Sequence, residues 1–104
     1  MLKMIVIYGV PKEIERFEDH YFQKHVPLIR QLPHLLDFNV QRVMSTQNTD
    51  QAAYLVTELR YTNVDLFNQS YESAEGRAAQ QDTAAMIPYL HQLPVVHIVE
   101  NLDV

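Results

Sequence analysis

At 104 residues, 47% of them hydrophobic and 20% charged, the chain supports one globular domain spanning residues 1–104 and leaves no room for a second. Thirteen acidic against eight basic side chains give a net charge of -5, so it lacks the cationic clusters that nucleic acid or an anionic membrane surface would require. Cysteine is absent, which removes disulfides and thiol catalysis, and no apolar run approaches the ~20 residues of a membrane span; with no secretory cleavage pattern near Lys3, a cytoplasmic protein is expected.

Residues 2 to 8 read as a first strand, in which Met4, Val6 and Tyr8 point to one face and Ile5 and Ile7 to the other. A helix follows over about 13 to 32, its apolar stripe formed by Ile14, Phe17, Tyr21, Leu28 and Leu32. Pro27 lies inside it, so a kink or break is expected just after His25. Leu36, Phe38 and Val40 alternate with Asp37, Asn39 and Gln41 as a half-buried strand, and Ala53 to Tyr61 is the strand that pairs with it antiparallel. Asn63 is placed to cap a short helix carrying Val64, Phe67 and Tyr71, and Ser73 a second piece running to about Met86 before Pro88. Val95 to Glu100 is the last strand, with Val95 and Val99 opposing Val96 and Ile98.

The order strand, helix, strand, strand, helix, strand matches the split βαβ arrangement of ferredoxin-like α+β folds with a four-stranded antiparallel sheet. Both faces of its strands are apolar, and two helices cover one face only. The other face then needs a partner, most simply the same face of a second copy, and a homodimer is expected.

Chemistry concentrates in His20-Tyr21-Phe22-Gln23-Lys24-His25. Imidazole titrates near neutral pH, which suits a general acid or base, and His20 and His25 flank the apolar stripe on opposite edges. Five residues apart, they lack the i, i+4 spacing of helical zinc ligands, so no metal is expected. Their plainer assignment is capping or bridging at the helix–sheet boundary. Tyr21 lies mid-stripe as a core residue able to line a pocket, and Tyr8 ends a strand where it can face a cavity. Lys24 reads as a solvated side chain; Arg42 and Arg60 are open between pocket groups and paired charges, His97, which shares a face with Val95 and Val99, reads as a satisfied interface histidine, and His34 and His91 are loop and helix-end residues. No nucleophile elbow, phosphate loop, dinucleotide fingerprint or metalloprotease motif is present.

A strand ending at Tyr8, then Pro11, Phe17, His20-Tyr21, His25, Pro27-Leu28 and Leu32-Pro33 leading into a second strand resembles the EthD family, named for ethyl tert-butyl ether degradation. The resemblance is strongest over residues 8 to 43; after Leu32-Pro33, where that family often has a glycine, this chain has His34-Leu35. It implies a ferredoxin-like dimeric α+β barrel, a homodimer formed through sheet faces, and an oxidoreductase label linked to degradation pathways. Relatives in that wider group include monooxygenases, isomerases, cyclases and dehydratases. With no cofactor motif, the expected function is cofactor-free proton transfer, or accessory oxidoreductase chemistry, on an aromatic, quinone-like or lactone substrate, with His25 and His20 catalytic and Tyr21 and Tyr8 binding. The alternative is a non-catalytic dimeric module that binds a small apolar ligand or supports a neighbouring enzyme.

Overall fold

A computed structural model describes residues 1–104. Strand β1 (Leu2–Gly9) leads into α1 (Ile14–His20), which continues without a break through a π-helical turn (Tyr21–His25) into α2 (Val26–Ile29). Strands β2 (Asp37–Arg42) and β3 (Ala53–Tyr61) follow, then α3 (Val64–Glu72), α4 (Ala74–Met86) and β4 (Val95–Glu100). All neighbouring strands are antiparallel in the order β2-β3-β1-β4, which is the ferredoxin-like arrangement expected from the sequence.

The alternation of the strands decides where the helices pack. In β1 and β3, Val6, Tyr8, Leu55, Leu59 and Tyr61 are buried on one face. Against them lie Phe17, Tyr21 and Ile29 of the first helical segment and Ala79 and Met86 of α4, in two adjoining clusters. Tyr8, Phe17 and Tyr21 pack ring to ring at centroid separations of 5.2 to 5.6 Å, which locks the helix onto the end of β1. Arg42 adds a clamp from β2, with two guanidinium nitrogens donating to Glu18 and Tyr54 donating to the same carboxylate. Hydrogen bonds from Arg42 and then Tyr54 hold the Glu18 carboxyl down at about 2. Glu18, which reads as part of a solvated helix face, is therefore a tether between helix and sheet.

Both expected caps form: Asn63 Oδ1 accepts from Leu66 N at 2.9 Å, and Ser73 Oγ from Gly76 N at 3.0 Å. His34 turns the chain toward β2 with φ at 67°, the left-handed conformation that a glycine adopts without steric penalty. The opposite sheet face has no helix over it. Ile5, Ile7, Val56, Val95 and Val99 lie there beside Lys3, Glu58 and Arg60, in the register Ile5 to His97 and Ile7 to Val95. Val95 is 51% exposed.

Helices α3 and α4 meet at a sharp corner that only glycine permits. A Cβ at Gly76 would lie 2.2 Å from the carbonyl oxygen of Ser70 and 2.5 Å from that of Tyr71, both fixed backbone atoms. Gly76→Ala is expected to lower unfolding free energy by about 1–3 kcal/mol in urea titration, because the corner must open. A loss under about 0.5 kcal/mol would show that the corner relaxes freely.

Candidate functional site

The helix carrying both histidines departs from α-helical geometry where they sit. In a regular α-helix, residues five apart are separated by roughly 140° of rotation, which sets His20 and His25 on opposite edges of the stripe. From Tyr21 to His25 the helix widens instead, and Val26 N donates to the carbonyl of Tyr21 five residues back. Such a turn brings residues five apart toward one face. Pro27, which has no N–H to give, follows directly, so the sequence anomaly is absorbed by a wide turn rather than a break. The buried series becomes Phe17, Tyr21, His25 and Ile29. This corrects the expected stripe: Ile29 replaces Leu28 in the core, and His25 moves from its edge to the interior.

The two imidazoles now converge on one carboxylate. His20 Nε2 lies 2.8 Å from Asp82 Oδ1, and His25 Nδ1 lies 2.9 Å from Asp82 Oδ2. An ionised carboxylate only accepts, so each of these nitrogens carries the proton and donates. For His25 this leaves Nε2 as the free lone pair. Asp82 comes from α4, two helices further along the chain, at a position that no motif marks in the sequence. Its signal was present: Ala79 and Met86, three residues before and four after it, are both buried, so an acid occupies the core stripe of a helix otherwise rich in alanine.

Burial sets the protonation states. Desolvation pulls the His25 pKa below its ordinary value and outweighs the opposing hydrogen bond to Asp82, so this imidazole is neutral near pH 7. Burial opposes the charge on Asp82, but the hydrogen bonds from His20 and His25 prevail and its pKa falls. Tyr8 and Tyr21 are pushed upward, chiefly by burial, and keep their hydroxyl protons. Tyr21 also meets the Thr57 hydroxyl, which partly offsets that rise.

A cavity of about 110 Å³ lies between sheet and helices, with Tyr8, Tyr21, His25 and Thr57 in its wall. His20 lies elsewhere, in a polar surface cleft with Arg16, Asp19, Gln23, Lys24 and Tyr89. Asp82 thus bridges one imidazole that faces the interior and one that faces outward. Of the four site residues expected from sequence, Tyr8, Tyr21 and His25 share the cavity, and His20 reaches it only through Asp82. Arg42 is committed to Glu18, while Arg60 and His97 lie on β3 and β4 outside the cavity. No group of three or more His, Asp or Glu side chains is arranged to hold a metal ion, and no helix is long and apolar enough to cross a membrane.

The EthD domain pattern matches residues 13–87, most of the chain. An uncharacterized 11.0 kDa protein in the thcB-thcC intergenic region of Rhodococcus erythropolis is 30% identical over 84 residues, covering 81% of this chain and 82% of that protein. The crystal structure of an EthD family protein from Bacillus halodurans superposes with a TM-score of 0.85 at 29% identity, over 98% of this chain and 99% of that one. Two structures at lower identity share the fold alone. One is a dimeric ferredoxin-like protein of unknown function from Jannaschia sp., with TM-score 0.72 at 10% identity over 97% of this chain and 100% of that one. The other is SnoaB, a cofactor-independent oxygenase from Streptomyces nogalater, with TM-score 0.69 at 12% identity over 99% of this chain and 94% of that one.

The direction of the His25 shift fixes how stability depends on pH. Its folded pKa lies below the unfolded value of 6.5, so the unfolded chain binds more protons between the two. Stability is full above about pH 6.5 and declines as pH falls below it. Asp82, also lowered, contributes above its ordinary value of 3.8 and is lost only as pH falls through its folded value. His25→Gln is expected to flatten the dependence just below pH 6.5 and leave the loss below pH 3.8 in place, read from urea midpoints across pH. An unchanged slope in the upper window would contradict burial of a neutral His25.

Proposed function

The chain belongs to the EthD family, and from that membership and the pairing of His25 with Asp82 we propose that it carries out cofactor-free proton transfer on a small aromatic, quinone-like or lactone molecule held between helices and sheet. The observation that carries this reading is that a neutral, buried imidazole in the cavity wall is oriented by a carboxylate through Nδ1, which leaves its other nitrogen with a lone pair. A carboxylate in that position fixes tautomer and ring orientation and stabilises the imidazolium that forms when Nε2 takes a proton. His25 is the general base, and Asp82 is a positioning residue. The apolar walls limit water around the buried imidazole, which strengthens its electrostatic contacts.

The proton taken by Nε2 comes from a substrate hydroxyl or an activated C–H, and the electrons of that bond stay on the substrate as a phenolate or enolate. The hydroxyls of Tyr8 and Tyr21, which line the cavity and are kept protonated by burial, are the donors this reading assigns to that oxyanion. Charge develops where donors already stand, without reorganisation. SnoaB, described as a cofactor-independent oxygenase, has this fold, which is consistent with chemistry that needs no cofactor here. His20 holds the second carboxylate oxygen and keeps Asp82 fixed toward His25.

A panel of phenols, hydroquinones and lactones incubated in D₂O and followed by ¹H NMR tests the reading through deuterium uptake at acidic C–H positions and product formation. For a compound turned over by the wild type, His25→Gln is expected to lower kcat by about 10²–10⁴-fold. Asp82→Asn, which keeps the shape but loses the charge, is expected to cost about 10–100-fold. Full turnover in both His25→Gln and His20→Gln would sink the proposal and leave a binding module as the better account.

The bare sheet face is assigned to a second copy of the chain. Its apolar half, Ile5, Ile7, Val95 and Val99, would meet the same residues of a second copy across a two-fold axis, and the similarly folded protein from Jannaschia sp. is described as dimeric. Sedimentation at micromolar concentration is expected to show a dimer that Ile7→Asp converts to monomer. A stable wild-type monomer would contradict the assignment.

A further inference from the structure

The cavity walls restrict the substrate further than the proton-transfer chemistry does. None of the twenty residues around it is Lys, Arg, Asp or Glu, and its one ionisable base, His25, is neutral. Behind that imidazole stands the Asp82 carboxylate, and the Arg30 guanidinium stacks over the Phe38 ring without itself lining the cavity. A carboxylate, phosphate or sulfate brought in from water would lose its hydration, meet no cationic side chain in the lining and face the like charge of Asp82 behind His25. The occupant is uncharged when it enters.

Hydrogen bonding gives it a direction. Tyr61 and Ser70 satisfy each other at 2.8 Å, Thr83 Oγ1 donates to Ala79 O at 3.1 Å, and Gln80 Nε2 donates to Tyr71 O at 2.9 Å. The Tyr71 hydroxyl and Gln80 Oε1 belong to the exposed side; at the other end His25 Nε2 accepts, the Tyr8 phenol donates, and the hydroxyls of Tyr21 and Thr57, which meet each other, complete the set. One ligand atom that both donates and accepts fits that set, which is the property of a hydroxyl and not of a ketone, an ether or an ester. Toward Leu59, Phe38 and Phe67 the walls are apolar and aromatic. A volume of about 110 Å³ is the scale of one ring, since an apolar cavity of about 150 Å³ takes benzene.

We infer that this cavity selects a neutral single-ring phenol, bound with its hydroxyl donating to His25 Nε2 and accepting from the tyrosine hydroxyls. The inference rests on the assignment of His25 as the reacting base, because it places the ligand's proton on that nitrogen. Transfer then moves this proton from the phenol oxygen to Nε2 and leaves the pair of electrons on the oxygen as phenolate, with His25 as imidazolium against Asp82. A small ring substituent has room at the open side, where Tyr71, Gln80 and Val96 are exposed.

The test is isothermal titration of the full chain with phenol, anisole, benzoate and 1-naphthol, with NOEs from bound ligand to the Thr57 and Ala79 methyls fixing the location. Phenol is expected to bind with those NOEs and at least about tenfold tighter than each of the other three. Anisole lacks the donor, benzoate brings a charge, and 1-naphthol offers more apolar area and so would bind best if burial alone decided. Benzoate or 1-naphthol binding as tightly as phenol would overturn the inference, as would equal affinity for anisole or no phenol binding up to millimolar concentration. Its failure is distinguishable from failure of the proton-transfer reading. Selective phenol binding with no His25-dependent turnover of any compound removes that reading and leaves the cavity preference standing. His25-dependent turnover of acids or two-ring compounds does the reverse.

Discussion

The site depends on one carboxylate, Asp82, held between two imidazoles from a single helix. Neither imidazole could share it if that helix were regular, because His20 and His25 would point roughly 140° apart. The wide turn from Tyr21 to His25 removes that separation, and Pro27, just beyond it, explains why the helix tolerates the change there: the position has no N–H to place in an ordinary ladder. Sequence irregularity, helix geometry and site chemistry are therefore one fact. The same turn shifts the buried series by one residue after His25, so that an ionisable group occupies a core position.

Burial and pairing then divide the labour. Dehydration keeps His25 neutral, and donation to Asp82 fixes which of its nitrogens is basic. The carboxylate is not itself left exposed to an uncompensated cost, since both of its oxygens accept a charge-assisted bond. The ring stack of Tyr8, Phe17 and Tyr21 holds the helix to β1, and the Arg42–Glu18 clamp holds it to β2. Position is thus fixed from three directions, which is what the proposed role of His25 as a base requires.

The fold was legible because it rests on periodicities that survive in one dimension. Alternation in β1 and β4 shows both sheet faces, Asn63 and Ser73 announce α3 and α4, and Pro27 marks the irregular turn. His25, Tyr8 and Tyr21 were legible as candidates from residue type and position. Asp82 was not, because its role is created by contact between α4 and a helix more than fifty residues away, and an acid on an alanine-rich helix reads as a solvated charge. What could reveal it is the spacing from Ala79 and Met86 rather than the acid itself. The direction of His25 was misread for a related reason: rotation at 100° per residue holds only while the helix stays α.

The most direct test of the central claim is the tautomer of His25, read from its ring ¹⁵N shifts by long-range ¹H–¹⁵N correlation at pH 7. The account predicts a neutral ring protonated at Nδ1 with a pyridine-like Nε2, a pattern that Asp82→Asn weakens or reverses. A ring protonated at Nε2, or on both nitrogens, would contradict it, because the nitrogen assigned to the cavity would then have no lone pair with which to take a proton.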